Sequence, residues 1–162
     1  MLPDIIVMKW SKLVASVVIC QLAGVIGSIF TVSSIPTWYT SLEKPWFTPP
    51  NFVFGPVWIT LYTLMGISLY LIWQKGPGKD DVRSALLAFF GQLAVNSVWS
   101  IVFFGLQSPF YALILIVFLW FLILLTIYKF YKLDKKAGLI LVPYIAWVTI
   151  AALLNYYVWV LN

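Results

Sequence analysis

Five long apolar runs dominate the sequence and limit the folds that it can adopt. Each run is about twenty residues long, the length that an α-helix needs to cross the hydrocarbon core of a bilayer. Hydrophobic residues make up 63% of the 162 residues and charged residues only 9%, and a water-soluble domain of this size could not bury so much apolar surface. We therefore predict an all-α integral membrane protein, in which residues 1–162 form a single domain, a bundle of five transmembrane helices. The predicted spans are 13–32, 51–73, 84–104, 110–131 and 138–160.

Lysine and arginine residues lie almost entirely on one side of the predicted bundle. The amino-terminal segment and the loops 74–83 and 129–136 hold nine of them, whereas the opposite side holds only Lys44. Because cytoplasmic loops of membrane proteins are enriched in these residues, we predict a cytoplasmic N-terminus and a C-terminus on the opposite side. The net charge of +5 then reflects cytoplasmic loops rather than a nucleic-acid partner.

Several chemistries are disfavoured by what the sequence lacks. It has no histidine and a single cysteine, Cys20, so the commonest metal ligand, the usual acid–base residue and a disulfide framework are missing. All five acidic residues lie outside the predicted spans, and a buried ionisable group is the usual sign of ion-coupled transport. We expect no metal site, no obligatory cofactor, no conventional hydrolysis and no coupled transport.

The segment from Trp38 to Trp58 differs from a flexible linker, which would be rich in Gly, Ser and charge. Its prolines fix the backbone, and its indole rings bury area while each keeps one N–H to donate. Ser33, Ser34 and Pro36 are expected to end the first span. We therefore predict a folded loop, rich in Trp and Pro, over residues 33–50, which lies as a lid at the membrane surface and leads into the second span.

Three predicted spans each carry a stripe of aromatic and uncharged polar residues at helical spacing. Helix–helix packing by amides and core filling by aromatic rings would give a similar pattern. Taken together, the three stripes favour an inward cavity for a flat apolar ligand, because such a site needs broad rings and a few polar groups. The stripes are Trp58, Tyr62 and Met65; Phe89, Gln92, Asn96, Trp99 and Phe103; and Tyr144, Trp147, Ala151 and Asn155, with Leu154 beside them.

Small residues form a separate stripe on the third predicted span. Ser84, Ala88 and Gly91 share one face at spacings of four and three residues, and small residues let a second helix approach closely in a membrane. The partner helix can belong to the same chain or to a second copy. The stripe is therefore a candidate dimer seam.

The motifs of the chain resemble those of the translocator protein / tryptophan-rich sensory protein family, also called the peripheral-type benzodiazepine receptor family. The likeness covers nearly the whole chain, with the motifs in order and at matching spacing. The motifs are Trp38-Tyr39, Lys44-Pro45-Trp46 followed by Pro49-Pro50, Gly55-Pro56-Val57-Trp58, Gly91-Gln92-Leu93-Ala94 with Asn96, Phe103-Phe104-Gly105, Pro143-Tyr144 with Trp147, and Leu154-Asn155-Tyr156.

This resemblance implies a five-helix membrane bundle, usually a homodimer, with a ligand pocket beneath the first loop. Its members bind porphyrins such as protoporphyrin IX, sterols in some cases, and isoquinoline carboxamide or benzodiazepine drugs. The positions that match Trp58 and Trp147 are linked to light-dependent porphyrin breakdown in bacterial members. Carried over to this sequence, the ligand-binding residues are Tyr39, Trp46, Pro49, Trp58, Tyr62, Gln92, Asn96, Trp99, Trp147, Ala151 and Leu154.

The expected function is therefore that of a membrane receptor or binding protein for hydrophobic tetrapyrroles, with porphyrin as ligand or substrate. A passive transporter of porphyrin or sterol is the main alternative, and a purely structural partner protein is another. The sterol motif expected at the end of the fifth span needs a basic residue after its tyrosine, and none follows Tyr156 or Tyr157. Sterol recognition through that motif is accordingly not expected.

Overall fold

The computed structural model describes residues 9–162, and this part of the chain is helical with no strand. Five helical segments are long and apolar enough to cross a membrane, and the fifth joins two helices. The prediction of an all-α bundle with five transmembrane helices is thus confirmed. The helices are α1 (Trp10–Ser34), continued by a π-helical segment Ile35–Tyr39; α2 (Asn51–Trp73); α3 (Asp80–Ser100), continued by a π-helical segment Ile101–Gly105; α4 (Pro109–Leu133); α5 (Lys135–Ile140); and α6 (Val142–Leu161).

The first span is longer than the sequence predicts. Ser33, Ser34 and Pro36 do not end it, because the helix widens into the π-helical segment and continues to Tyr39. Pro36 lies in the first turn of that segment, so the wider turn coincides with the place where a proline ring would otherwise clash with the preceding turn. Trp38 and Tyr39 therefore belong to the helix rather than to the predicted loop.

The fifth span begins with a short helix and a turn at Leu141. Asp134 precedes α5, and its carboxylate accepts hydrogen bonds from the backbone N–H groups of Lys136 and Ala137, which is the usual role of an N-cap residue. The same carboxylate lies 3.1 Å from Lys75 Nζ. This residue therefore ties the connection after α2 to the start of the fifth span.

Helix packing leaves an opening at one end of the bundle. α1 packs against α2 and α3, while α4 packs against α3, α5 and α6. The backbones of α1 and α2 approach closely at Gly66, where a Cβ atom would lie 2.5 Å from Val17 Cα. α2 packs on α5, but its backbone approaches that of α6 at few points, so α2 and α6 diverge toward the end that holds loop 42–50.

The outward surface of the bundle is apolar along its length. Large side chains such as Ile29, Leu87 and Phe121 are more than half exposed, which only a hydrocarbon environment accommodates at this density. The chain is therefore an integral, multi-pass membrane protein.

Candidate functional site

A cavity of about 520 Å³ fills the space between α1, α2, the end of α3 and α6. This volume falls within the range of about 300–1,000 Å³ that is typical of sites for small organic ligands. Seven of the eleven ligand-binding residues predicted from the sequence line it. They are Tyr39, Trp58, Tyr62, Trp99, Trp147, Ala151 and Leu154.

Aromatic rings from different helices form the cavity wall. Trp58 stacks on Tyr62, with ring centroids 5.5 Å apart, and makes a T-shaped contact with the ring of Tyr144 of α6, with centroids 6.5 Å apart. Trp147 of α6 makes an edge-to-face contact with Phe54 of α2 at 6.0 Å. The two tryptophans therefore come from different helices and line the same cavity.

Gln92 and Asn96 do not line the cavity but lie behind its wall, each with only 1% of its surface exposed. Tyr62 donates its hydroxyl hydrogen to Asn96 Oδ1 at 3.3 Å, and Asn96 Nδ2 donates to the Tyr144 hydroxyl at 2.7 Å. Tyr144 in turn donates to Gln92 Oε1 at 2.7 Å. The two amides thus hold the tyrosines in place, a supporting role rather than direct contact with the space that a ligand would fill.

Trp46 and Pro49 also lie outside the cavity lining. The Trp46 side chain is 95% exposed, and its ring contacts that of Phe47, which packs on Tyr157 of α6. Pro49 is half-buried within the connection before α2. The connection between the first span and α2 therefore packs on α6 through Phe47, and Trp46 and Pro49 do not cover the cavity.

Polar contacts fix that connection in place. Lys44 Nζ donates to the carbonyl oxygens of Tyr39 and Leu42, at 2.8 and 2.7 Å, and thereby satisfies acceptors left free where the first span ends. Glu43 N–H donates to Asn162 Oδ1 at 3.0 Å, and Asn162 Nδ2 donates to the Glu43 carbonyl oxygen. The predicted folded segment is therefore ordered by hydrogen bonds, although it is shorter than residues 33–50.

The sequence interpretation missed the contribution of α1. Seven of its residues or those of its π-helical continuation line the cavity in addition to Tyr39, and they are Gln21, Gly24, Val25, Ser28, Thr31, Val32 and Ile35. The signal was present, because Gln21, Gly24, Ser28, Thr31 and Ile35 recur every three or four residues as a mainly small and polar stripe on an apolar helix. Such a stripe marks an inward face in a membrane protein.

The indole N–H groups around the cavity differ in their hydrogen bonding. Trp99 Nε1 donates to Asn155 Oδ1 at 3.0 Å, and Asn155 Nδ2 donates to the Pro109 carbonyl oxygen. Within residues 9–162, neither Trp58 nor Trp147 donates its indole hydrogen to another residue, whereas Trp120, outside the cavity, donates to Thr149. Two donors in the cavity wall are therefore free to meet an acceptor on a ligand.

The candidate dimer seam lies along the flank of α3 beside α4. Ser84 Oγ accepts a hydrogen bond from Lys129 Nζ of the same chain at 2.8 Å. A Cβ atom placed on Gly91 would have no neighbour within 4 Å, so the stripe is open there. The association of two copies through Ser84, Ala88 and Gly91 stays a prediction.

Five membrane-spanning helices around an internal aromatic cavity define the chain as a multi-pass membrane protein with an enclosed apolar site. Residues 16–160 match the sequence model of the TspO/MBR family. The chain belongs to this family, as the resemblance of its motifs predicts.

Relatives from distant organisms align over most of their length. The chain is 46% identical to the tryptophan-rich protein TspO of Archaeoglobus fulgidus, over 93% of this chain and 97% of that protein. It is 41% identical to the protein CrtK of Rhodobacter capsulatus, over 90% and 89% of the two chains. It is 36% identical to the human translocator protein, over 83% and 80%. These similarities support, in general terms, a receptor or translocator role in a membrane.

Proposed function

We propose that the protein binds hydrophobic tetrapyrroles of the protoporphyrin IX type in the cavity between α1, α2, α3 and α6. The observation that carries this proposal is the pairing of Trp58 and Trp147, two indoles from different helices that line one cavity. Flat aromatic ligands bind well against such rings, because stacked and edge-to-face contacts add to the burial of apolar area. Other flat apolar molecules, including isoquinoline carboxamide and benzodiazepine drugs, fit the same description.

The polar groups of the cavity favour a ligand with hydrogen-bond acceptors. Trp58 and Trp147 each have an N–H group that no other described residue accepts, and an indole nitrogen can only donate. A porphyrin with carboxylate side chains, or a drug with an amide carbonyl, offers matching acceptors. An unpaired donor in an apolar site costs free energy, so a ligand that accepts these hydrogen bonds gains affinity over one that does not.

We further propose that bound porphyrin is degraded in light with the participation of these two indoles. Dissolved oxygen is the oxidant: an electron-rich indole reduces the excited porphyrin by one electron, and the porphyrin radical takes up O2. The electron then returns to the indole, and the two oxygen atoms become two carbonyl groups as one methine bond of the macrocycle breaks. The step requires no acid–base residue from the protein, in keeping with a cavity wall that carries no Asp, Glu, Lys or Arg side chain. Porphyrin would then be a substrate as well as a ligand.

A light-exposure experiment tests the proposal. Purified protein with protoporphyrin IX is kept in darkness or illuminated, and the loss of porphyrin absorbance is followed for the wild type and for Trp58→Phe/Trp147→Phe. The double variant keeps an aromatic ring at both positions but loses both N–H donors. We therefore expect it to keep much of its porphyrin binding in darkness and to lose bound porphyrin at least several-fold more slowly in light. Trp159→Phe makes the same chemical change outside the cavity and should behave as the wild type. Equal rates in the double variant and the wild type would end the photochemical part of the proposal.

Passive movement of porphyrin or sterol across the membrane is the second candidate function. It is favoured by the exposed residues on α1 and α2 that also line the cavity, namely Val25, Val32, Phe52 and Ile59, because they connect the cavity laterally with the surroundings of the helices. Proteoliposomes loaded with an acceptor for porphyrin distinguish the two candidates. Flux above that of protein-free liposomes supports transport, and binding without flux supports a receptor.

A further inference from the structure

The two ends of the bundle differ sharply in charge. Within residues 9–162, the end that holds the connections after α2 and α4 carries nine Lys and Arg residues against three Asp residues, an excess of six positive charges. The opposite end carries Lys44 and Glu43, which cancel. A membrane protein with this asymmetry meets the lipid headgroup layer with a strongly cationic end.

Few of these cations are neutralised inside the protein. In the described part of the chain, the single ion pair joins Lys75 to Asp134. The carboxylate of Asp81 instead accepts a hydrogen bond from the adjacent backbone N–H of Val82. The remaining cations have no carboxylate partner within the described chain and are free to meet the anionic groups of lipid headgroups.

Three of these cations, Arg83, Lys129 and Lys132, belong to the part of the bundle where α3 begins and α4 ends. Lys129 Nζ donates to Ser84 Oγ at 2.8 Å, next to Arg83 in the chain, and Lys132 lies one turn further along α4. Lys132 Nζ sits 4.5 Å from the centroid of the Tyr128 ring. We call Arg83, Ser84, Lys129 and Lys132 the α3–α4 foot.

The side chains of the α3–α4 foot lie on the outer, lipid-facing surface of the bundle as well as at its end. Arg83, Tyr128 and Lys132 are exposed, and one turn above them the exposed residues are Leu87 of α3, at 66%, and Leu125 of α4, at 42%. This surface is complementary to an anionic lipid: its apolar side chains can contact the acyl chains, and its cations lie at the level of the headgroup.

We propose that the α3–α4 foot binds the phosphate of an anionic phospholipid headgroup. Two ammonium groups, a guanidinium and a hydroxyl supply the donors that phosphate oxygens accept, and hydrogen bonds from charged donors to phosphate are strong. Each basic residue close to an anionic lipid surface strengthens attraction about five-fold.

Competition between two lipids tests the proposal on the intact protein. Protein in mild detergent is mixed with equal amounts of phosphatidylglycerol and phosphatidylcholine that have identical acyl chains, and bound lipid is counted by native mass spectrometry. We expect a preference for phosphatidylglycerol of at least about ten-fold, which falls as salt is raised. Equal binding of the two lipids would overturn the proposal.

A charge-matched pair of variants locates the site. Arg83→Gln/Lys129→Gln/Lys132→Gln should reduce the preference to about two-fold or less, whereas Lys79→Gln/Lys135→Gln/Lys136→Gln removes three exposed cations from the same end and should keep most of it. Equal losses in the two triple variants would indicate diffuse attraction and contradict a defined site. If the first triple variant does not fold, Arg83→Gln alone should lower the preference about five-fold, and no loss in that variant would contradict the site.

Discussion

The ring of Trp58 stacks on the ring of Tyr62, with centroids 5.5 Å apart and planes inclined by 29°. Tyr62 also donates its hydroxyl hydrogen to Asn96, which lies behind the cavity wall. One side chain therefore joins the surface that a ligand would meet to the buried polar network of the bundle. Changes in that network should reach the cavity although its amides do not line it.

Replacing Asn96 by Leu should affect stability and ligand binding together. The change removes the acceptor for Tyr62 and the donor for Tyr144, which still donates to Gln92. Leaving the buried Tyr62 hydroxyl unpaired costs about 1–3 kcal/mol. Released from Asn96, Tyr62 should move and weaken porphyrin binding several-fold. Thermal unfolding in detergent and fluorescence titration measure the two effects.

An exposed position on the same helix provides the control for Asn96. Ala94 faces outward, so Ala94→Leu should change neither the melting temperature nor porphyrin affinity appreciably. Wild-type affinity in the Asn96→Leu variant would show that the network does not position the cavity wall.

A single added methyl group should disturb one glycine of the cavity wall, Gly24, and leave another, Gly55, unaffected. At Gly24 a Cβ atom would lie 2.5 Å from Tyr62 Cε2, whereas at Gly55 it would meet nothing within 4 Å. Gly24→Ala should therefore displace the Tyr62 ring, cost about 1–3 kcal/mol through overpacking and weaken porphyrin binding. Gly55→Ala should leave both quantities close to the wild-type values. Equal behaviour of the two variants in unfolding and titration would contradict this account of Tyr62.

The contribution of Asp134 to stability should depend on pH. Partial burial of the carboxyl raises its pKa, but the hydrogen bond from Lys75, those from the backbone of Ala137 and Lys136, and the charge of Lys75 outweigh burial, so the pKa lies below the ordinary value of 3.8. A lowered pKa in the folded state means that the stabilisation is complete above pH 3.8 and is lost as the pH falls through the folded-state value. Exposure to solvent limits the contribution of the ion pair to at most about 1 kcal/mol.

Asp134→Asn isolates the charge, because asparagine still serves as an N-cap. The melting temperature of the wild type should exceed that of the variant at pH 6, and the difference should shrink toward zero in acid below the lowered pKa. A difference that stays constant over this range would show that the charge is not responsible.

Much of the fold follows directly from the sequence. Apolar runs of membrane-spanning length predict the five spans, and Gly76 and Pro77 in the polar stretch after Trp73 predict the turn between the second and third. The end of the first span could not be predicted in this way, because Ser33, Ser34 and Pro36 are ordinary stop signals. Only the three-dimensional structure shows that a π-helical segment carries the helix past Pro36 to Tyr39.

The sequence predicts which face of each helix points inward, but not which inward residues border the cavity. Gln92, Asn96 and Trp99 share one inward face of α3, and periodicity correctly places all three in the interior. Whether an inward residue meets an empty space or a neighbouring side chain depends on where α2 and α6 diverge, which the spacing of residues within one helix does not encode. Trp99 borders the cavity. Gln92 and Asn96 instead meet the side chain of Tyr144, to which both are hydrogen-bonded.

Filling the cavity tests the central claim most directly. Ala151 lines the cavity, whereas Ala146 on the same helix is exposed outside it, so Ala151→Phe and Ala146→Phe add the same volume in different places. The measurement is the dissociation constant of protoporphyrin IX, determined in darkness for the wild type and both variants. The account predicts at least about ten-fold weaker binding for Ala151→Phe, the loss of about 1.4 kcal/mol, and wild-type binding for Ala146→Phe. Wild-type affinity in Ala151→Phe would show that porphyrin binds elsewhere and would contradict the account.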